Sequence, residues 1–246
     1  MHRYFVKTFL IAALAASLGA SQAWGQWSST NVGNPTLPGS VAPAANGFNL
    51  SGAGNDIAGN YDQFVFNYLS EAQAGDFDVK VKVSSLDFTD AWAKAGLMAR
   101  ESFLGGSRYA AAFATPGISG GFFQYRANTS GQTTNLGSAP VTYPNTWLRL
   151  KRAGKIFTGY TSLDGDAWTM LGSYSLTFSN NLYLGLVVTS HSSNQLATAQ
   201  FRDFQTVTGG TVGGVVLSRE PLGPSSRKTG LVISEIMYQD RKSTRL

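Results

Sequence analysis

From Gln26 to about Val207 the chain is cut into short alternating or apolar runs, each ended by Gly, Asn, Ser or Pro. Nowhere does it hold the 3.6-residue apolar period of a helix. Period-2 runs punctuated this often have one economical solution: antiparallel strands whose apolar faces are buried against each other. The alternation predicts eleven strands, over residues 47–51, 62–69, 77–86, 93–101, 108–114, 121–128, 146–152, 156–162, 168–173, 182–190 and 198–207. That number exceeds a seven-stranded immunoglobulin domain and suits a two-sheet antiparallel jelly-roll sandwich, an all-β fold. A propeller would need a recurring motif every 40 or so residues, and none is present.

The flanks read differently. Arg3 and Lys7 precede an apolar run over residues 9–18 and then the small residues Ala20, Ser21 and Ala23. This is the pattern of a secretory signal peptide over residues 1–25, cleaved after Ala23 or Gly25. The alternative is an uncleaved anchor, although the run is short of the roughly 20 residues a spanning helix needs. No other segment is apolar enough to cross a bilayer, so the mature chain is expected to be soluble, exported to the medium or cell surface, and free of membrane. Residues 209–230 mix Gly, Pro, Ser and charge and read as a linker. Residues 231–238, LVISEIMY, alternate like one strand, and since one strand is no domain it is expected either to add to the edge of the sandwich or to open a second domain.

Charge narrows the partners. The net charge is +5, but residues 26–208 hold 11 basic and 11 acidic side chains, so the excess lies in the flanks. A neutral domain lacks the field that gathers phosphates, and no nucleic-acid partner is expected. With no cysteine there is no disulfide framework, no thiol chemistry and no cysteine-ligated metal, and two histidines leave little for a zinc centre.

Hydrolytic chemistry finds little support. A glycosidase needs two carboxyls about 5 to 10 Å apart, yet the only glutamates of the central region, Glu71 and Glu101, have no acid two or three residues on. Asp76 and Asp78 share a strand face with Lys80 and Lys82, which reads as an alternating charged edge. A serine triad would have to use His191, and no nucleophile elbow accompanies it. His191 follows the run LYLGLVVTS, where a polar residue at a strand end can line a binding rim. Asp164-Gly165 between two strands predicts a hairpin turn, with Trp168 packing on the sandwich.

One constellation survives. Alternation sets Lys94, Met98 and Arg100 on one face of their strand, Gln124 and Arg126 on one face of the next, and Trp147, Arg149 and Lys151 on one face of a third. Were the three strands neighbours, Arg100, Gln124, Arg126, Trp147 and Arg149 would form a patch of forked donors and an aromatic ring suited to saccharide hydroxyls or carboxylates. The competing reading has the arginines paired with Asp62, Glu101 or Asp203 on a solvated sheet. Asp56 and Asp62, around a Gly- and Asn-rich turn, offer oxygens that suit calcium, although an Asx turn needs no metal.

The ordered series WSSTNVGNP, FNLSGAGNDIAGNYDQFVFNY, GDFDVKVKV, AWAKAGLMARES, FQYRAN, PNTWLRLKRAGKIFTGYTSLDGDAWTMLG and YLGLVVTSH resembles the bacterial concanavalin A-like (laminin G-like) jelly-roll modules of large secreted proteins, over residues 26–208. The resemblance implies a carbohydrate-binding or adhesive appendage as readily as a glycosidase, and the E-x-D-x-x-E motif of the enzymatic branch is missing. LVISEIMY resembles the opening strand of a lamin-tail domain, which makes residues 231–246 a truncated start; QDRKSTRL departs from that pattern. The expectation is therefore an exported, non-catalytic module that binds an extracellular glycan or cell-surface polymer. A ligand-free spacer and a glycosidase with an unfamiliar acid pair are the alternatives.

Overall fold

The computed structural model describes residues 26–117 and 119–207; the leader, linker and lamin-tail expectations lie outside the described residues. The strands are β1 (Trp27–Val32), β2 (Ser40–Ala44), β3 (Gly47–Gly54), β4 (Phe64–Leu69), β5 (Gln73–Ala74), β6 (Phe77–Leu86), β7 (Lys94–Arg100) and β8 (Tyr109–Ala114). They continue with β9 (Gly121–Arg126), β10 (Thr134–Ala139), β11 (Thr146–Ala153), β12 (Ile156–Ser162), β13 (Thr169–Ser175), β14 (Asn181–Thr189) and β15 (Ser192–Thr206). The first sheet runs β1-β4-β14-β7-β8-β9-β10 with β5 on β14, and the second runs β13-β12-β11-β6-β15-β3-β2. All pairings are antiparallel.

The alternation locates β6 and β12 to the residue and misses β1, β2, β5 and β10. Of these, β1, β2 and β10 sit at sheet edges and β5 is two residues long. An edge strand packs on one side only and needs little apolar content; β2 and β10 are mostly exposed. Asp76 and Asp78 also need correcting: β6, on which Asp78 lies, is not an edge but the middle strand of the second sheet.

Between the sheets, Val79, Val81 and Val83 of β6 and Leu148 and Leu150 of β11 meet Ala95, Leu97 and Ala99 of β7 and Ala110, Ala112 and Ala114 of β8. The alanines make room for the bulkier partners, and each large side chain so buried contributes roughly 1.5–3 kcal/mol. A second apolar cluster lies on the opposite side of the first sheet, built from Phe64, Phe66, Met98, Tyr109, Phe113, Phe122 and Val187. Ile57, from the segment between β3 and β4, joins it from above. The first sheet is thus buried on both faces, which is why every residue of β7, β8 and β9 is buried.

The covering segment, residues 55–62, crosses this outer face like a strap. It runs so close to the β1 end that a side chain on Gly33 would lie 1.9 Å from the Asp62 carbonyl, and Gly33 holds φ at +73°. Only glycine meets both conditions.

Candidate binding site

The structure divides the polar constellation. Arg100, Gln124 and Arg126 share the outer face of the first sheet, while Trp147 and Arg149 stand on β11 in the second, on the other side of the sandwich. Strand periodicity assigns each residue to a face of its own strand but not the strand to a sheet. Two separate surfaces result.

On the first, the side chains expected to meet a ligand hold the strap instead. Arg126 donates from Nη1 and Nη2 to the two oxygens of Asp62, both at 2.6 Å. It also donates to the carbonyls of Ala58, Gly59, Gly105, Ser107 and Gly131. Arg100 lies 3.5 Å from the same carboxylate and donates to the carbonyls of Ser102 and Leu104 at 2.6 and 2.5 Å. Gln124 donates from Nε2 to the Ile57 carbonyl at 2.7 Å and pairs with the Tyr109 hydroxyl. Arg100, Gln124, Arg126 and Asp62 are each 0% exposed.

Burial pushes the Asp62 carboxyl above its ordinary value, against the pull of the Arg126 hydrogen bonds and both guanidinium charges. The same burial brings the Arg100 guanidinium down to about 10. One carboxylate faces two cations here, and carbonyl oxygens of the strap and the β7–β8 loop make up the difference. Asp62, one of the acids expected to pair with the arginines, takes two of them.

The calcium expectation fares poorly on its donors. Both oxygens of Asp62 are engaged by Arg126. Asp56 pairs with the buried ammonium of Lys94 and lies 3.5 Å from His191 Nε2. Burial lowers the Lys94 ammonium while Asp56 pulls it the other way, and the Lys94 nitrogen already fills the Asp56 end. Among the described residues, no group of three or more His, Asp or Glu side chains could hold a metal ion. The two aspartates anchor opposite ends of the strap and do not fit a shared calcium. His191, in the β14–β15 turn with φ at +56°, places Nδ1 3.0 Å from Asp90. The same Asp90 oxygen accepts from the amide of the exposed Trp92.

The strap and the β7–β8 loop together frame an open cavity of about 300 Å³, which sequence reasoning missed. Its lining includes the ring of Tyr61, which is 54% exposed, the hydroxyl-bearing Ser102, Thr129 and Ser130, and the Glu101–Arg108 pair. Arg108 donates to the two Glu101 oxygens at 2.5 and 2.7 Å, and the Ser179 amide donates to Glu101 at 2.7 Å. Burial alone would raise the Glu101 carboxyl, but these bonds and the Arg108 charge outweigh it and hold it below the ordinary range. Arg100 and Arg126 stand behind the cavity wall, bonded to the carbonyls of Ser102, Leu104, Gly105 and Ser107. They position the site without lining it. No local motif marks this cavity, because its residues come from three separate loops.

On the second sheet, Arg149 donates to both oxygens of Asp78 at 2.7 and 2.6 Å and stacks over Tyr160 and Trp168. Those hydrogen bonds keep the guanidinium above its ordinary value. Trp147 is half-buried beside Lys80, whose ammonium lies 5.4 Å from the ring centroid and donates to the Gly165 carbonyl at 2.8 Å. The expected turn is present: Gly165 holds φ at +83°, and Asp164 accepts from the amides of Asp166 and Ala167. It is longer than a two-residue hairpin, spanning the gap from Ser162 to Thr169, with Trp168 half-buried at its end.

No protein-family model matches the sequence, and no curated protein matches it. Solved structures do. A functionally unknown protein from Saccharomyces cerevisiae aligns at 15% identity and a TM-score of 0.57, over 76% of this chain and 98% of its own. The carbohydrate-binding module CBM66 from Bacillus subtilis aligns at 15% identity and a TM-score of 0.50, over 75% of this chain and 96% of its own. At such identity the likeness is one of fold, and together with the two sheets described above it makes this chain an all-β, concanavalin A-like jelly-roll sandwich.

Proposed function

We propose that this chain is an exported, non-catalytic module that binds an extracellular carbohydrate in the cavity beside Tyr61. The observation that carries the reading is the cavity's make-up: an exposed aromatic ring facing hydroxyls and a carboxylate–guanidinium pair on a wall fixed from behind by buried arginines. A sugar offers an apolar ring face to an aromatic and hydroxyls to planar acceptors and donors, so this lining matches it group for group. Its volume lies at the small end for ligand clefts and suits the end of a chain better than a long polymer. Glu101 is tied up by Arg108 and has no second carboxyl in the lining, which favours binding over hydrolysis. That the CBM66 fold carries a carbohydrate-binding module supports the reading by analogy of fold.

The test is a glycan array with the full chain, followed by titration of any positive sugar against wild type and Tyr61→Ala. The expected result is a positive glycan whose affinity falls at least tenfold in the variant, unchanged by chelator. Silence across a broad array would turn the reading to a spacer that positions neighbouring domains, and equal binding by the variant would move the site elsewhere.

A further inference from the structure

The outer face of the second sheet carries charge that the fold does not neutralise. In register across the strands, Trp147 stands opposite Lys82, and Lys82 opposite Arg202. One row along, Tyr160 stands opposite Arg149, Arg149 opposite Lys80, and Lys80 opposite Gln205. Lys82 with Arg202 and Lys80 with Arg149 are therefore like-charged cross-strand pairs side by side, an arrangement that weakens a sheet unless an anion relieves it.

The acids nearby reach only part of this set. Asp78 serves Arg149 and lies 4.0 Å from Lys151, and the 91% exposed side chain of Asp166 lies 3.9 Å from Lys80. Among the described residues, neither Lys82 nor Arg202 has a carboxylate within 4.0 Å; Arg202 donates instead to neutral oxygens, the carbonyls of Phe48 and Phe201, Asn49 Oδ1 and Gln200 Oε1, so its charge is unneutralised. Beside these cations stand the half-buried indoles of Trp147 and Trp168, with Lys80 within 6 Å of both ring centroids. Adjacent strands lie about 4.8 Å apart, so Trp147 to Arg202 spans about 10 Å across three strands.

We propose that this face is a second binding surface, independent of the Tyr61 cavity, and that it takes an acidic polysaccharide. A sugar ring packs against Trp147 while its carboxylate or sulfate meets Lys82 and Arg202. A nucleic acid fits less well: the 11 basic and 11 acidic residues over residues 26–208 supply no long-range field, and the cations here number only a few.

Affinity electrophoresis of the full chain through gels holding polygalacturonate, heparin or a neutral galactan tests this. Retardation is expected in an acidic gel and not in the neutral one. Retardation by polygalacturonate alone assigns the anion to carboxylate, and by heparin alone to sulfate. Lys82→Glu should weaken it about tenfold, with Lys82→Gln intermediate; a melting temperature of Lys82→Gln at or above that of wild type, as relief of the Lys82–Arg202 repulsion requires, excludes misfolding. Tyr61→Ala should leave it intact, so the two sites fail separately. Equal retardation in all gels, none in either acidic gel, no effect of either Lys82 variant, loss in Tyr61→Ala, or displacement by a single-stranded oligonucleotide as readily as by the acidic polymer would each overturn the proposal.

Discussion

The two outer faces of the sandwich began as one pattern and ended as opposites. On the first sheet, Arg100, Gln124 and Arg126 are sealed beneath the 55–62 strap, and their donors are spent on Asp62 and on backbone carbonyls. On the second, Lys80, Lys82, Lys151 and Arg202 remain partly exposed; Asp166 and Asp78 reach Lys80 and Lys151, and among the described residues no carboxylate reaches Lys82 or Arg202. The lesson concerns what an alternating polar face means. A strand that puts arginine on one side declares only that something polar lies there, and a loop from sixty residues away can supply it as well as a ligand can.

The sharpest way to break the contrast is to remove the acid beneath the strap. Asp62→Ala leaves two buried guanidiniums around an empty place and should cost about 3–5 kcal/mol in denaturant unfolding. Asp78→Ala, its counterpart on the second sheet, should cost about 1–2 kcal/mol in the same assay, because Arg149 is buried but the partly exposed Asp78 position lets water replace the lost carboxylate. Between them lies Gln124→Ala, which strands the Ile57 carbonyl and the Tyr109 hydroxyl and should cost about 1–3 kcal/mol.

A smaller effect is expected with acid. The Glu101 carboxyl titrates below its ordinary 4.5 in the folded chain. Its stabilisation is therefore complete above that unfolded value and is lost as the pH falls through the lower folded one. Glu101→Gln should remove about 0.5–1 kcal/mol at neutral pH and flatten the stability profile below pH 4.5, as read by thermal melts. Smallest of all is Tyr61→Ala, whose exposed ring should shift stability by less than about 0.5 kcal/mol while weakening glycan binding.

How far the sequence carries is visible in the same residues. Phe77–Leu86 was legible because it alternates between a packed and an open side, which is the condition periodicity detects, and Ile156–Ser162, buried after its first residue, was legible as a short run closed off by the Gly154 and Gly165 turns. Ser40–Ala44 and Thr134–Ala139 were not, since an edge strand is held by hydrogen bonds to one neighbour and leaves no apolar mark. The face of each arginine was legible, and its sheet was not, because Arg126 and Arg149 are distinguished only by strand order. The Tyr61 cavity left no trace at all: Tyr61, Arg108 and Ser130 are brought together by the fold.

The strap has a further consequence for a chain that meets proteases. Cleavage requires a peptide that can be drawn out and laid into an enzyme's cleft, with its carbonyls free to bond there. The carbonyls of Ile57, Ala58 and Gly59 accept from Gln124 and Arg126, so this loop, which looks in sequence like an easy cut, is held from beneath. Nicking should begin instead at the exposed tip near Asn128, Thr129 and Ser130, and a cut inside the strap would report that Asp62 had already let go.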